Sequence, residues 1–231
     1  MKQIKLYICL FLLVISCSSL ESEQYILSNL DNIKCGLPKE TTHFHSTGQI
    51  LITYPKQVKS SLPLIMIFGG INYATPMFMM HNTPQIYFEK AILVFLPCKL
   101  AGGLGYKFYK RQVDNFIRNK NLAVESYSVC GFSGGGPDVL SITGEKLHII
   151  GLIDVVPAVP TLKLTFDKII NEYNKENWHD NSFYGKQTNY SKFTEFANWT
   201  KKEGGYAIDN SVKHELFPKY FFYRYRKVFL N

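Results

Sequence analysis

The sequence predicts an α/β fold: a doubly wound, mostly parallel sheet flanked by helices. Three observations predict it. Residues 64–68 and 91–96 are short, uninterrupted apolar runs, the pattern of strands buried on both faces, and residues 147–156 read as a further buried strand. Between two of them, Tyr109, Val113, Phe116 and Ile117 recur at helical spacing. Strand-like and helix-like stretches alternate along the chain, as parallel strands joined by crossover helices require.

The chain has 231 residues, enough for one domain with a substantial core. Its 46% hydrophobic and 15% aromatic content fits a globular protein rather than a disordered one. The net charge of +8 is modest and dispersed, and Lys2 and Lys5 contribute to it from a leader. Without a recognisable nucleic-acid module, no nucleic-acid partner is expected. Arg224, Arg226 and Lys227 form the densest basic patch, interleaved with Tyr223 and Tyr225. It reads either as a helix face whose long side chains snorkel or as a contact for an anionic membrane surface.

Residues 1–17 read as an export signal. Lys2 and Lys5 precede an apolar stretch, residues 6–15, that is too short to span a bilayer comfortably. It ends Val14-Ile15-Ser16-Cys17, which resembles a bacterial lipobox. That resemblance implies a lipidated Cys17 and attachment to a membrane surface; an ordinary secretory signal cleaved a few residues later is the alternative. Either way the mature protein is expected outside the cytoplasm, as a membrane-anchored lipoprotein or a secreted or periplasmic protein.

Residues 18–46 are polar and expected to be irregular, and residues 47–231 to form a single domain. Within it, residues 49–54, 64–68 and 91–96 read as strands, and residues 105–119 as a helix. A short apolar strand then enters Gly131-Phe132-Ser133-Gly134-Gly135, and residues 137–142 read as the helix that follows. Residues 147–156 are a further strand. Leu162, Phe166, Ile169, Ile170 and Tyr173 mark an amphipathic helix. Residues 174–213, with Trp178 and Trp199, show no clear strand and read as a cap or a loop-rich insert. An aromatic helix, residues 219–229, closes the chain.

Five cysteines are present. Cys9 and Cys17 belong to the leader. Cys35 with Cys98 is the candidate disulfide, and Cys130, inside the strand before the glycines, is expected to be buried and inert. No metal-type cysteine spacing occurs, and His43-Phe44-His45 reads as surface rather than a metal pair.

Residues 131–135 carry the chemistry. A strand that runs into Gly-x-Ser-x-Gly is a nucleophile elbow, a sharp turn that presents one serine hydroxyl. The glycines permit close backbone approach. A phosphate loop is disfavoured because no Lys-Ser or Lys-Thr pair follows, and the dinucleotide fingerprint is absent. The plain alternative is a glycine-rich turn with a satisfied serine.

On these residues the chain resembles the α/β-hydrolases, over roughly residues 49–229. The resemblance implies Ser133 as nucleophile, followed in the chain by an acid and then a histidine. Of His148, His179 and His214, the late position of His214 before the final helix matches the family. The acid is open among three residues. Asp154 ends the strand after the elbow, in a segment that also resembles the acid-bearing one of pancreatic-type lipases, with departures at Ile153, Val155 and Val156. Asp180 is the candidate if the acid lies one strand later, and Asp209 is the third. The oxyanion donors implied are the amide of Gly134 and that of Gly70 or Ile71, in a loop where Gly69-Gly70 replaces the usual His-Gly. The expected function is an exported serine hydrolase, esterase- or lipase-like, acting on a small-molecule or lipid ester through an acyl-enzyme, with no metal or organic cofactor implied. A peptidase or amidase shares the same machinery. The open acid and the unusual glycine loop also admit a non-catalytic, hydrolase-like surface binding protein.

Overall fold

Apolar runs with no polar break need cover on both faces, and a central sheet supplies it. The computed structural model describes residues 21–58, 60–71, 76–155, 163–178 and 190–231. Its eight strands are β1 (Thr42–Thr47), β2 (Ile50–Pro55), β3 (Leu62–Phe68), β4 (Ile92–Leu96), β5 (Val124–Phe132), β6 (Thr143–Ile153), β7 (Lys163–Tyr173) and β8 (Tyr206–Asp209). They form one sheet in the order β1-β2-β4-β3-β5-β6-β7-β8. β2 pairs antiparallel with β1 and β4, and every other neighbour is parallel.

The helices among the described residues are α1 (Glu23–Asn29), α2 (Pro76–Asn82), α3 (Gln85–Lys90), α4 (Tyr106–Asn119), α5 (Gly136–Leu140), α6 (Tyr190–Lys202), α7 (Phe217–Arg224) and α8 (Arg226–Phe229). Two cores result, one on each face, because successive side chains of a strand point to opposite sides. Ile65 and Ile67 of β3 join Tyr87, Phe88, Phe221 and Phe229 under α3, α7 and α8. Leu64, Met66 and Phe68 join Tyr109, Val113, Val139 and Phe196 under α4, α5 and α6. This is the doubly wound, mostly parallel sheet that the sequence predicts.

Four expectations are corrected. Residues 18–46 are not irregular where described. Ser22 caps α1 by accepting from the Tyr25 N–H at 3.3 Å, and α1 buries Ile26. β1 is polar because it is an edge strand with one partner and exposed side chains. Of the segment read as an amphipathic helix at residues 162–173, residues 163–173 are strand β7. Its apolar spacing fits a helix, yet the strand is buried on both faces at its carboxyl end. There Ile169, Ile170, Asn171, Glu172 and Tyr173 are all buried, and the polar ones survive burial only by finding partners in the tertiary fold. Residues 174–213 contain helix α6 and strand β8, where no strand was expected. Finally, Cys35 and Cys98 are free thiols. Cys35 lies in an isolated bridge with Pro84, whereas Cys98 Sγ reaches the Gly70 carbonyl.

The basic C-terminal patch is engaged with the protein itself. Arg224 pairs with buried Glu172 at 2.6 Å, and Arg226 pairs with Glu21 and lies over the Tyr223 ring. Among the described residues no helix is long and apolar enough to cross a membrane. The leader with Cys17, and also Asn72, His179 and Asp180, lie outside the described residues.

Candidate active site

β5 ends at Phe132, and one 3-10 turn, Ser133–Gly135, leads directly into α5. Ser133 has φ +52°, the left-handed region. For a residue with a side chain that conformation costs on the order of 1–3 kcal/mol and persists only where the surroundings impose it. The surroundings here are backbone. A Cβ on Gly131 would lie 2.5 Å from the Gly135 carbonyl oxygen. One on Gly135 would lie 2.5 Å from the oxygen of Phe68 and 2.7 Å from that of Gly69. The turn therefore closes only with glycine at both positions, and Ser133 sits mostly buried at its apex.

The loop after β3 presses against the serine. A Cβ on Gly70 would stand 2.7 Å from Ser133 Cβ and 3.1 Å from its Oγ. A Cβ on Gly134 would stand 2.7 Å from Ile71 Cγ1 and 3.5 Å from Ile71 N. From the loop after β3, Gly70 thus stands against the serine and Ile71 against Gly134. The Cys98 thiol, two residues beyond β4, donates to the Gly70 carbonyl over 3.6 Å. No peptide bond among the described residues is cis. In a trans peptide the carbonyl and the next N–H point opposite ways, so the Ile71 N–H is directed away from Cys98. Asp138 of α5, also buried, accepts from the Lys99 N–H at 2.9 Å and ties this loop to the elbow helix. Burial pushes the Asp138 carboxyl up.

On the other side of the elbow stands His214, at the 3-10 turn that leads into α7. Its ring stacks on Phe132, the residue before the serine, with centroids 4.6 Å apart. Its Nδ1 lies 2.6 Å from Asp154 Oδ2. Asp154 follows β6 directly, has φ +44° and is fully buried. Its carboxylate also accepts from the Asn174 N–H at 2.9 Å and from Asn177 Nδ2 at 2.7 Å. Both asparagine side chains donate to the Val212 carbonyl, each at 3.0 Å. The same two residues therefore hold the acid and the loop that carries the histidine.

The remaining candidates lie elsewhere. Asp209 ends β8 and pairs with Lys175 at 2.7 Å. His148 lies within β6 and bonds Asp167 at 2.9 Å. It precedes Ile150, the partner of Val129, so it sits well short of the elbow. Sequence reasoning missed Asn174, Asn177 and Glu172. They occupy the end of β7 and the turn after it, and the helical reading of β7 hid their position. Glu172 accepts from Arg224, Tyr220 and Asn210. Burial outweighs Arg224 and pushes its carboxyl up to about 7. Among the described residues no cluster of His, Cys, Asp and Glu has the makings of a metal site.

No family model matches the chain, and no curated protein does. Solved structures do. The S-formylglutathione hydrolase of Staphylococcus aureus superposes with a TM-score of 0.53 at 11% identity, covering 82% of this chain and 95% of that one. The Agrobacterium tumefaciens S-formylglutathione hydrolase gives 0.52 at 11% identity over the same shares, 82% and 95%.

Proposed function

Given that this chain has the α/β-hydrolase fold, we propose that it is a serine hydrolase that cleaves carboxylic esters through an acyl-enzyme on Ser133. The observation that carries this reading is the Asp154–His214 pair at 2.6 Å, with the imidazole stacked on the residue beside the serine. A serine hydroxyl is a poor nucleophile without a base. His214 is the base. Asp154 takes the Nδ1–H, which fixes the tautomer and leaves the other ring nitrogen to accept a proton.

The steps balance with these groups and water. Ser133 Oγ bonds to the carbonyl carbon while its proton passes to His214. The amides of Gly134 and Ile71 donate to the developing oxyanion. The carbon–oxygen bond to the leaving group breaks, and the leaving alkoxide takes the proton from His214. Water, deprotonated by the same imidazole, attacks the acyl-enzyme; the acid departs and Ser133 regains its proton. The same groups serve an amide, so amide substrates belong in the test. We place the enzyme outside the cytoplasm, anchored through a lipidated Cys17, on the pattern of residues 1–17.

Folded protein treated with a fluorophosphonate probe is expected to carry the label on Ser133, and to turn over p-nitrophenyl esters faster than anilides. Ser133→Ala is expected to abolish both labelling and turnover. Folded, unlabelled wild-type protein would return the molecule to the class of hydrolase-like binders.

A further inference from the structure

A pocket of about 290 Å³ is lined by Gly48, Gln49, Leu51, Ile71, Pro76, Met77, Pro97 and Ala101. Six of these carry apolar side chains, and the one polar side chain, Gln49, already accepts from the Tyr109 hydroxyl at 3.2 Å. The pocket lies at the carboxyl edge of the sheet: Pro97 follows β4, Ile71 follows β3, and Leu51 of antiparallel β2 pairs with Phe95 near the end of β4. Ile71 belongs both to the pocket and to the loop packed against Gly134, the residue after the serine.

Sheet order gives this pocket its direction. β3, β4 and β2 lie on one side of β5, the strand that ends at the elbow. β6, whose end bears Asp154, lies on the other side, and His214 is bonded to that carboxylate. A tetrahedral intermediate on Ser133 has three further substituents to place. The oxyanion goes to the Gly134 and Ile71 amides. The leaving-group oxygen must face His214, which protonates it. The acyl chain is left with the direction away from His214, toward the pocket.

Resting on the proposed hydrolase reading, we infer that this pocket is the acyl subsite and that it takes an unsubstituted aliphatic chain. The volume sets a limit. At about 30 Å³ for each water-sized group, the pocket has room for about ten carbons. Burying a methylene there is worth about a fourfold gain in kcat/KM, so the preference rises with chain length until the pocket is full.

Two measurements test this. The first is kcat/KM on p-nitrophenyl esters from acetate to dodecanoate. Wild type is expected to peak at or below ten carbons. Met77 is 42% exposed, so a change there is compatible with folding. Met77→Trp is expected to lower the octanoate-to-acetate ratio at least fivefold, and Met77→Ala to leave that ratio at or above the wild-type value. A smaller fall in the Trp variant, or a fall in both, overturns the subsite. The second measurement needs no turnover. In Ser133→Ala protein with ¹³C-labelled methionine methyls, hexan-1-ol is expected to shift the Met77 resonance saturably, whereas ethanol leaves it in place. Absence of that shift overturns the subsite. A saturable shift in a protein that neither cleaves esters nor takes the fluorophosphonate overturns the hydrolase reading alone, and the pocket stands as an aliphatic binding site.

Discussion

His214 Nδ1 and Asp154 Oδ2 lie 2.6 Å apart although 60 residues separate them in the chain. Asp154→Asn replaces the acceptor by an amide that favours the wrong imidazole tautomer. The expected loss in kcat is about 10⁴-fold, with the fold retained by circular dichroism. Groups that act as a unit are not additive. The Ser133→Ala/His214→Ala pair is therefore expected to be no slower than Ser133→Ala alone on the same ester.

Asn177 bridges the acid and the histidine loop through one amide nitrogen. A hydrogen bond to a charged group contributes about 1.5–3 kcal/mol. Asn177→Ala is expected to lower unfolding free energy by about that amount in urea denaturation. It is also expected to reduce kcat, but less than Asp154→Asn does, because the Asn174 N–H still holds the carboxylate.

Gly135 has no room for a methyl group, since two backbone carbonyl oxygens would stand within 2.7 Å of its Cβ. Neither oxygen is the far end of a flexible side chain. Gly135→Ala is expected to destabilise by about 3 kcal/mol or more, read as a lowered Tm, and to remove the serine from its reactive position. Gly144→Ala serves for comparison: its φ is +74° with nothing nearby, so it carries backbone strain without a clash.

Glu172 links stability to pH. Its folded value, about 7, lies above the ordinary 4.5 because burial disfavours the charged form. Between those values the native state binds more protons than the unfolded one. The contribution is therefore complete below the ordinary value and is lost as pH rises through about 7. Thermal unfolding of wild type against Glu172→Gln across this range is expected to show a falling component in wild type that the Gln variant lacks.

Cys35 and Cys98 are unpaired, and burial raises both thiols. Alkylation of the denatured, unreduced protein is expected to modify both, and a reductant to leave Tm unchanged. A peptide joining Cys35 to Cys98 in a non-reduced digest would contradict the structure.

Legibility in the sequence followed the range of the interaction involved. The elbow was readable because its geometry is local: a strand, one strained residue and two glycines within five positions. β3, β4 and α4 were readable for a similar reason, since their burial on two faces or one leaves a periodic trace in the residues themselves. β7 was not, because its apolar residues fit a helical period and its buried Asn171 and Glu172 look like a solvated face. Their partners, Thr200, Arg224 and Asn210, come from distant segments.

The amino-acid sequence by itself determined the α/β class and the glycine-flanked turn at Ser133, since each follows from neighbours along the chain. It left the acid open among Asp154, Asp180 and Asp209. Tertiary structure placed Asp154 against His214 and Asp209 against Lys175. It also left Cys35 and Cys98 unpaired and set the pocket at the ends of β2, β3 and β4, across β5 from the strand that ends at Asp154. These are relationships between strand ends, and strand order in a parallel sheet is fixed by packing across the sheet, not by the residues on either side of a given side chain.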